Sequence, residues 1–186
     1  GRRIPQHNKQ SSTELLDRNI VIAVDSNDVE TGYYDKMTAH QEGILHRAGS
    51  VLIFNAINEW LFQQRAEEKY HSGLLWSNTA CSHPMKGETT QDSAERRLQE
   101  EMGLDLRLEP AFSFQYRAEF DNGLIEHELD HVFIGYTDND PLPNPDEVSD
   151  FRWLNMDDLE AEIAKNPENF TAWFKLLVPR IKDHIL

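Results

Sequence analysis

The stretch that decides the fold is GETTQDSAERRLQEEMGL, residues 87–104. Its pattern predicts a helix over residues 89–102, because apolar residues recur every four positions along it. These apolar residues are Ala94, Leu98 and Met102. Thr89 can cap the N-terminus of this helix, and Gly103 can end it. The stretch therefore predicts an amphipathic helix with one face on a core.

The polar face of the predicted helix carries charges of both signs. Arg97 and Glu101 lie four residues apart and share this face, with Glu100 beside them. Such a run is most often a solvated face with ordinary ion pairs. Residues 81–84, CSHP, precede the helix by a short loop. A loop that enters a helix N-terminus presents free backbone N–H groups, so this segment is also suited to an anion.

Outside this helix, the chain alternates segments typical of strands and of further helices. Strands are predicted over residues 19–25, 45–55, 60–65, 111–120 and 124–136. Helices are predicted over residues 156–164 and 168–183. Residues 121–123, Asp-Asn-Gly, predict a hairpin turn between the last two strands. The pattern indicates a mixed sheet with few helices, either an α+β fold or a three-layer sandwich.

Composition excludes several classes of protein. The 186 residues fit one domain, predicted over residues 19–186, and residues 1–18 are expected to form a flexible tail or expression remnant. The 18 basic and 33 acidic residues give a net charge of −15, which argues against a nucleic-acid binder and a polybasic membrane-surface protein. No apolar run approaches the length of a membrane span. With one cysteine and no secretory signal, we expect a cytoplasmic protein.

A set of carboxylates and histidines could hold a metal ion. Glu126 and Glu128 are two apart on a predicted strand, so both point to one face, which Asp130 shares. Taken alone, such a face is usually exposed to solvent. Histidines are common both on surfaces and in cores, so a single histidine indicates little. The three candidate histidine ligands are His40, His46 and His83. Three histidines with two carboxylates would together suit Mn²⁺, Zn²⁺ or Fe²⁺.

Three further residues allow both a structural and a chemical interpretation. A lone cysteine such as Cys81 is most often a small buried apolar residue. Its position just before the helix-entry loop would lower its pKa and suit it to proton transfer. Tyr116 alternates with two phenylalanines on a predicted strand, and Trp173 lies on an amphipathic helix, so core packing is the ordinary expectation for both.

Residues 82–104 resemble the Nudix box, G-x5-E-x7-R-E-U-x-E-E-x-G-U with U aliphatic. The matching positions are Glu88, Arg96, Leu98, Glu100, Glu101, Gly103 and Leu104. Ser82 stands where the box has Gly, and Arg97 stands where it has Glu. That Glu belongs to the catalytic carboxylate cluster of Nudix hydrolases. The resemblance therefore implies a Nudix-like α/β/α sandwich with additional β-hairpins, while Arg97 argues against ordinary diphosphate hydrolysis.

From about residue 19 to its C-terminus, the chain resembles the type I isopentenyl-diphosphate isomerases, a non-hydrolysing branch of the Nudix superfamily. The matching motifs are residues 38–40 (TAH), 45–46 (LH), 76–84 (WSNTACSHP), 116–118 (YRA), 126–128 (EHE) and Trp173. The Asn-x-x-Cys-[Gly/Ser]-His-Pro stretch together with Glu-x-Glu is specific, whereas either alone would be weak. The resemblance implies metal-dependent conversion of isopentenyl diphosphate to dimethylallyl diphosphate through a tertiary carbocation.

The resemblance also implies a role for each matching residue. Ligands of a divalent transition metal (Mn, Zn or Fe) would be His40, His46, His83, Glu126 and Glu128. Catalytic residues would be Cys81 on one face of the substrate, with Glu128 and Tyr116 on the other. Residues that bind the prenyl diphosphate would be Lys36, Arg65, Lys69, Arg97 and Trp173. Glu101 would bind a Mg²⁺ ion that bridges to the diphosphate. The remaining histidines, expected to be structural or surface residues, are His7, His71, His127, His131 and His184.

Other functions compete with this hypothesis. A Nudix hydrolase of a nucleoside or prenyl diphosphate is the main alternative. Arg96, Glu100 and Glu101 support it, whereas Arg97 and the Cys81/Glu128 pair oppose it. A silent metal- or diphosphate-binding module would bind metal without turnover. A third alternative is an α+β domain whose acidic clusters lie on its surface. The expected partner is a small prenyl diphosphate, with no nucleic acid and no membrane, and the chain is predicted to be a monomer or homodimer.

Overall fold

Nine strands and four α-helices follow one another along residues 18–69 and 71–185, the part of the chain that this computed structural model describes. The strands are β1 Ile20–Val24, β2 Glu30–Asp35, β3 His46–Phe54, β4 Trp60–Arg65, β5 Trp76–Ser77, β6 Ala80–Ser82, β7 Glu109–Glu119, β8 Ile125–Tyr136 and β9 Val148–Leu154. The helices are α1 Lys36–Glu42, α2 Thr90–Met102, α3 Met156–Lys165 and α4 Ala172–His184. The predicted tail lies outside the described residues except for Arg18.

Strand β3 organises a mixed sheet. It pairs in parallel with β8 along its whole length, from His46 opposite Glu128 to Phe54 opposite Tyr136. It pairs antiparallel with β1, β4 and β6. β7 returns antiparallel on β8, and β9 lies against β4. The long β3–β8 pair therefore brings residues about 80 positions apart in sequence side by side.

Helices cover both faces of the sheet. Alternate residues of a strand point to opposite faces, and β3 follows this rule. Leu52 packs in a cluster with Phe174 and Leu177 of α4, whereas Val51 packs in a second cluster with Leu98 of α2. This arrangement is the predicted three-layer α/β/α sandwich, and the mixed α+β fold is confirmed.

Helix α2 begins and ends where the sequence predicts. The Thr89 side chain accepts a hydrogen bond from the Asp92 backbone N–H, so it satisfies one of the donors that a helix N-terminus leaves unpaired. Gly103 adopts φ 65°, and its N–H closes the helix on the Gln99 carbonyl. Glycine adopts this left-handed conformation without strain, which explains why the helix stops there.

Two kinds of element depart from the prediction. Strands β2, β5, β6 and β9 and helix α1 were not predicted. β2 is a mostly polar edge strand, β5 and β6 span only two and three residues, and α1 spans only seven. The last helix begins at Ala172 rather than at residue 168, because Pro167–Asn169 form a separate 3₁₀ turn. Thr171 caps the shorter helix by accepting a hydrogen bond from the Phe174 N–H.

Candidate active site

A cavity of about 300 Å³ lies where β3, β6, β8 and α2 meet. The basic residues expected to bind diphosphate all line it: Lys36, Arg65, Lys69 and Arg97. The other expected site residues that line it are Cys81, His83, Glu101, Glu126, Glu128 and Trp173. The remaining three, His40, His46 and Tyr116, are buried against the two carboxylates of β8. The fold thus brings the expected residues to one place.

The two carboxylates of β8 are buried rather than exposed. Glu126 and Glu128 retain only 4% and 5% of their surface, although a strand face of this kind is usually solvated. Burying a carboxylate is costly unless it is paired and hydrogen-bonded. Both carboxylates are surrounded by imidazoles and by the Tyr116 hydroxyl, which supply those partners.

Glu128 lies between two histidines. Its Oε2 is 3.2 Å from Nε2 of His46 and 2.7 Å from Nε2 of His83. His46 follows directly from the parallel register, since it stands opposite Glu128 across β3 and β8. Donor atoms of this trio all lie within 4.8 Å of one another, so the three side chains could hold a metal ion.

Glu126 lies between two other histidines, one of which the sequence predicts to be structural or on the surface. Its Oε2 is 3.7 Å from Nε2 of His40 and 3.1 Å from Nε2 of His71. His71 is buried to 7% exposure in the loop between β4 and β5, so it is not a surface residue. In sequence it follows a polar stretch without strand or helix periodicity, and no pattern distinguishes it from an exposed histidine.

The Tyr116 hydroxyl joins the two carboxylates. It lies within hydrogen-bonding distance of Oε1 of both Glu126 and Glu128, because Tyr116 stands opposite Glu128 in the β7–β8 register. Burial and the two carboxylate charges raise the pKa of Tyr116, so the phenol keeps its proton. Core packing with Phe114, the ordinary expectation for this residue, also holds, with ring centroids 5.6 Å apart.

The imidazoles keep both buried carboxylates ionised. Burial and the charge of Glu128 would raise the pKa of Glu126, but hydrogen bonds from His40 and His71 lower it to about 2. Burial likewise opposes ionisation of Glu128, but His83 and His46 hold its pKa well below the usual range. Burial and the charge of Lys36 lower the pKa of His83 to about 4, so this imidazole is neutral at pH 7 and its nitrogen can bind a metal.

Cys81 carries a protonated thiol, contrary to the expectation of a lowered pKa. Burial raises the pKa of the thiol, and the charges of Glu101 and Asp130 raise it further. The loop before α2 does not offset these effects. Sγ lies 3.5 Å from Nδ2 and 3.6 Å from Oδ1 of Asn78. A neutral thiol at the cavity wall is suited to donate a proton rather than to act as a thiolate nucleophile.

Trp173 is buried to 3% exposure with one edge fixed by Asn78. Its Nε1–H donates a hydrogen bond of 3.1 Å to Asn78 Oδ1, so one amide contacts both the indole and the thiol of Cys81. The guanidinium carbon of Arg65 lies 5.0 Å from the ring centroid. The indole therefore makes a cation–π contact with Arg65, one of the basic residues of the cavity.

The basic residues converge on one side of the cavity. Burial lowers the pKa of Lys36, and the positive charges of Arg97 and Lys69 lower it further, so these cations repel one another. Arg97 lies 3.2 Å from the Glu147 carboxylate, which also pairs with Lys69. Glu147 was not among the predicted site residues. A cluster of mutually repelling cations is a favourable environment for a polyanion such as a diphosphate.

Comparison with known proteins identifies the family. The NUDIX domain family matches residues 44–174. The isopentenyl-diphosphate Delta-isomerase of Pectobacterium atrosepticum is 55% identical over 164 residues, which cover 88% of this chain and 92% of that protein. Isopentenyl-diphosphate Delta-isomerase 2 of Aromatoleum aromaticum is 49% identical over 161 residues, covering 87% and 85%. The chain belongs to the isopentenyl-diphosphate isomerase family of Nudix proteins.

The isomerase family and its Nudix fold agree with the resemblance drawn from the sequence, which is confirmed. The fold is also found in a crystal structure of the protein DR0079 from Deinococcus radiodurans, with a TM-score of 0.74 and 21% identity. That match covers 87% of this chain and 98% of the other, and it concerns the fold alone. Hydrolysis, the competing hypothesis from the sequence, is not favoured, since the relatives at 45–55% identity are isomerases. Among the described residues, no helix is long and apolar enough to cross a membrane.

Proposed function

We propose that this chain interconverts isopentenyl diphosphate and dimethylallyl diphosphate by moving a proton at each of two carbons. The observation that carries the proposal is that a protonated thiol, Cys81, and the Glu128 carboxylate, to which the Tyr116 hydroxyl donates a hydrogen bond, lie in the wall of one cavity. Isomerising an alkene in this way requires an acid and a base on opposite sides of the substrate. Membership of the isomerase family supports the same reaction.

The diphosphate is held by the cation cluster in this mechanism. Lys36, Arg65, Lys69 and Arg97 neutralise its negative charge. Arg97 takes the place of a carboxylate that Nudix hydrolases use for catalysis, so the cluster binds the diphosphate without that carboxylate to promote its cleavage. Glu101 is the proposed ligand of a Mg²⁺ ion, which would supply further neutralisation of the diphosphate charge.

The proton transfers occur at the other end of the cavity. An acid donates a proton to the terminal carbon of the alkene, and the electron pair of the double bond forms the new C–H bond. The tertiary carbocation that results is stabilised by the face of Trp173. The base across the cavity then removes a proton from the carbon next to the one that bears oxygen, and a new double bond forms. Cys81 serves one side, and Glu128 with Tyr116 serves the other.

The donors around Glu126 and Glu128 fit a divalent transition metal. The proposed ligands are His40, His46, His83, Glu126 and Glu128, with Mn, Zn or Fe as the ion. Nδ1 of His40 and Nδ1 of His46 each contact a backbone carbonyl, and Nε2 of each ring faces a carboxylate of β8. Such an ion would orient the Glu128 carboxylate and tune its acidity.

A cytoplasmic location is proposed as well, since a reducing compartment keeps Cys81 as a free thiol.

The test is proton NMR of isopentenyl diphosphate incubated with the metal-loaded chain and Mg²⁺ in D₂O. We expect dimethylallyl diphosphate with deuterium at the protonated carbon, and loss of both product and label in Cys81→Ala. Cys81→Ser is the matched variant, because a hydroxyl preserves the contact with Asn78 but is a much weaker acid. An unchanged substrate with a folded, metal-loaded wild-type chain would refute the proposal, and inorganic phosphate in the same tube would indicate hydrolysis.

A further inference from the structure

Two imidazoles converge on one oxygen of Glu126. Nε2 of His71 lies 3.1 Å and Nε2 of His40 lies 3.7 Å from the same Oε2. The donor atoms of the three side chains all lie within 4.8 Å of one another, and all three residues are buried. The isomerase resemblance assigns Glu126 and His40 to a metal, but it gives no role to His71.

The hydrogen bonds of the rings indicate what lies between these atoms. Nδ1 of His40 is 2.7 Å from the Lys36 carbonyl, which can only accept, so Nδ1 carries the proton. Nε2 of the same ring faces the Glu126 carboxylate. Nδ1 of His71 is 3.1 Å from the Ser72 hydroxyl, which can donate or accept, and its Nε2 faces the same carboxylate. A ring nitrogen and a carboxylate oxygen this close need a proton or a metal cation between them.

The trio at Glu128 has the same arrangement. Nδ1 of His46 is 2.9 Å from the Ile44 carbonyl, while its Nε2 and that of His83 approach Glu128 Oε2. Ligands bound about 2.1 Å from one ion, at angles between about 90° and 110°, lie roughly 3.0–3.4 Å apart. The 3.1 Å between His71 and Glu126 falls in this range. His71 therefore lies at nearly the same distance from Glu126 as His46 lies from Glu128.

We propose that His71 is a further ligand of the transition metal ion assigned above to His40, His46, His83, Glu126 and Glu128, and that its Nε2 binds this ion beside His40 and Glu126. Two imidazoles and one carboxylate are a common donor set for Mn²⁺, Fe²⁺ and Zn²⁺, and they leave coordination positions open. The inference deepens the metal part of the proposed function and does not depend on the isomerase activity itself.

A purely structural role for His71 predicts a different effect of substitution. The ring stacks on Phe120 with centroids 4.5 Å apart, and it meets Trp173 edge to face at 5.8 Å. A residue that only packs there, or only donates a hydrogen bond to Glu126, would be replaced adequately by glutamine, whose amide N–H can reach a similar position. Glutamine is a poor ligand for a transition metal, so His71→Gln separates the two roles.

The experiment strips the full chain of metal with a chelator and titrates it with Co²⁺. Visible spectra give the affinity, and X-ray absorption counts the imidazoles bound per cobalt. For His71→Ala and His71→Gln we expect at least about tenfold weaker binding at the affected ion and fewer coordinated imidazoles than in wild type. The matched control is His127→Ala, because His127 is the next residue after Glu126 but points to the Gly43 carbonyl.

Wild-type affinity and an unchanged imidazole count in His71→Gln would overturn the proposal. Circular dichroism of the metal-free variants checks their fold, and His71→Gln decides the question if His71→Ala does not fold. Isomerase turnover is recorded separately. An inactive but metal-binding wild-type chain would refute the proposed function, while the cobalt titration would still decide the role of His71.

Discussion

The backbone N–H of Cys81 donates a hydrogen bond of 3.1 Å to Oε2 of Glu101. Cys81 lies in β6 and Glu101 in the last turns of α2, so this bond joins the strand that carries the thiol to the helix that carries the proposed Mg²⁺ ligand. Oε1 of the same carboxylate faces Arg97 at 3.5 Å. The proton-transfer end and the diphosphate end of the cavity are therefore connected through one buried side chain.

We expect Glu101→Gln to impair Mg²⁺ binding while leaving the fold intact. The amide oxygen can still accept the Cys81 N–H, but the charge that attracts the cation is lost. The Mg²⁺ concentration for half-maximal activity should rise at least about tenfold, with little change in the midpoint of thermal unfolding. Glu100→Gln is the control, since Glu100 pairs with Arg96, Arg18 and Arg97 but does not accept the Cys81 N–H. Equal Mg²⁺ dependence in both variants would exclude Glu101 as the ligand.

Removal of the Tyr116 hydroxyl should slow turnover without removing the metal. Tyr116→Phe preserves the stacking on Phe114 but deprives Glu126 and Glu128 of a shared hydrogen-bond donor. We expect kcat to fall by roughly 10²–10⁴, the usual contribution of a positioned acid or base. Steady-state kinetics and metal analysis measure the two effects. Tyr34→Phe, a change at an exposed tyrosine, should leave both unchanged, and a fully active Tyr116→Phe would contradict the proposed role.

The raised pKa of Cys81 predicts slow alkylation of the native chain. Only the thiolate reacts readily, and burial followed by the charges of Glu101 and Asp130 keeps the thiol protonated. With iodoacetamide at about pH 8, close to the ordinary thiol pKa, mass spectrometry should show modification at least about tenfold slower than that of a free cysteine. Unfolding in urea should remove the protection, which provides the control within one sample. Alkylation faster than that of free cysteine would instead support the lowered pKa expected from the sequence.

Buried Asp130 gives a prediction about charge inside the core. Burial and the charge of Glu128 raise the pKa of Asp130 well above its usual value, and the Ser50 hydroxyl donates a 2.5 Å hydrogen bond to it. Because burial favours the neutral form of this carboxyl, replacement by an amide should be tolerated, and Asp130→Asn should cost less than about 1 kcal/mol. Asp130→Ala, which leaves Ser50 without this acceptor, should cost about 1–3 kcal/mol. Urea unfolding measures both, and equal costs would refute this explanation.

Local patterns in the sequence predict the elements that local chemistry determines. Helix α2 has its cap at Thr89 and its end at Gly103, and the β7–β8 turn has Gly123 at φ 82°. The local patterns did not predict elements that are stabilised by residues distant in sequence. Strand β9 is held by its pairing with β4, and the mostly polar β2 by its pairing with β1. Their own residues carry no periodic signal, because tertiary contacts rather than propensity stabilise them.

The residues of the candidate site also divide into those that the sequence predicts and those that it does not. Residues within specific motifs, such as Cys81 and Glu128, were identified from the family resemblance. His71 and Glu147 were not, since each lies in a loop and acquires its neighbours only when the chain folds. The pKa of Cys81 was also wrong from sequence, because burial and nearby carboxylates outweigh any effect of the following helix. Such effects depend on the three-dimensional environment, so the spacing of residues in the sequence does not predict them.

The ion pair of Glu88 and Arg96 predicts a loss of stability in acid. Arg96 donates two hydrogen bonds to this carboxylate, at 2.8 and 3.0 Å. Burial would raise the pKa of Glu88, but the bonds from Arg96 lower it below its usual value. A depressed folded-state pKa contributes stability that is present above the unfolded pKa of about 4.3 and is lost as pH falls through the folded value.

Glu88→Gln should therefore destabilise the metal-free chain by about 1–2 kcal/mol at pH 7, and the difference should shrink as pH falls below about 4. Urea unfolding at a series of pH values measures it, with the exposed Glu109→Gln as the control expected to match wild type throughout. If the cost of Glu88→Gln stayed constant down to about pH 3, well below the unfolded pKa, it would arise from packing around the side chain. Charge pairing with Arg96 predicts convergence with wild type, because protonated Glu88 and glutamine are both neutral.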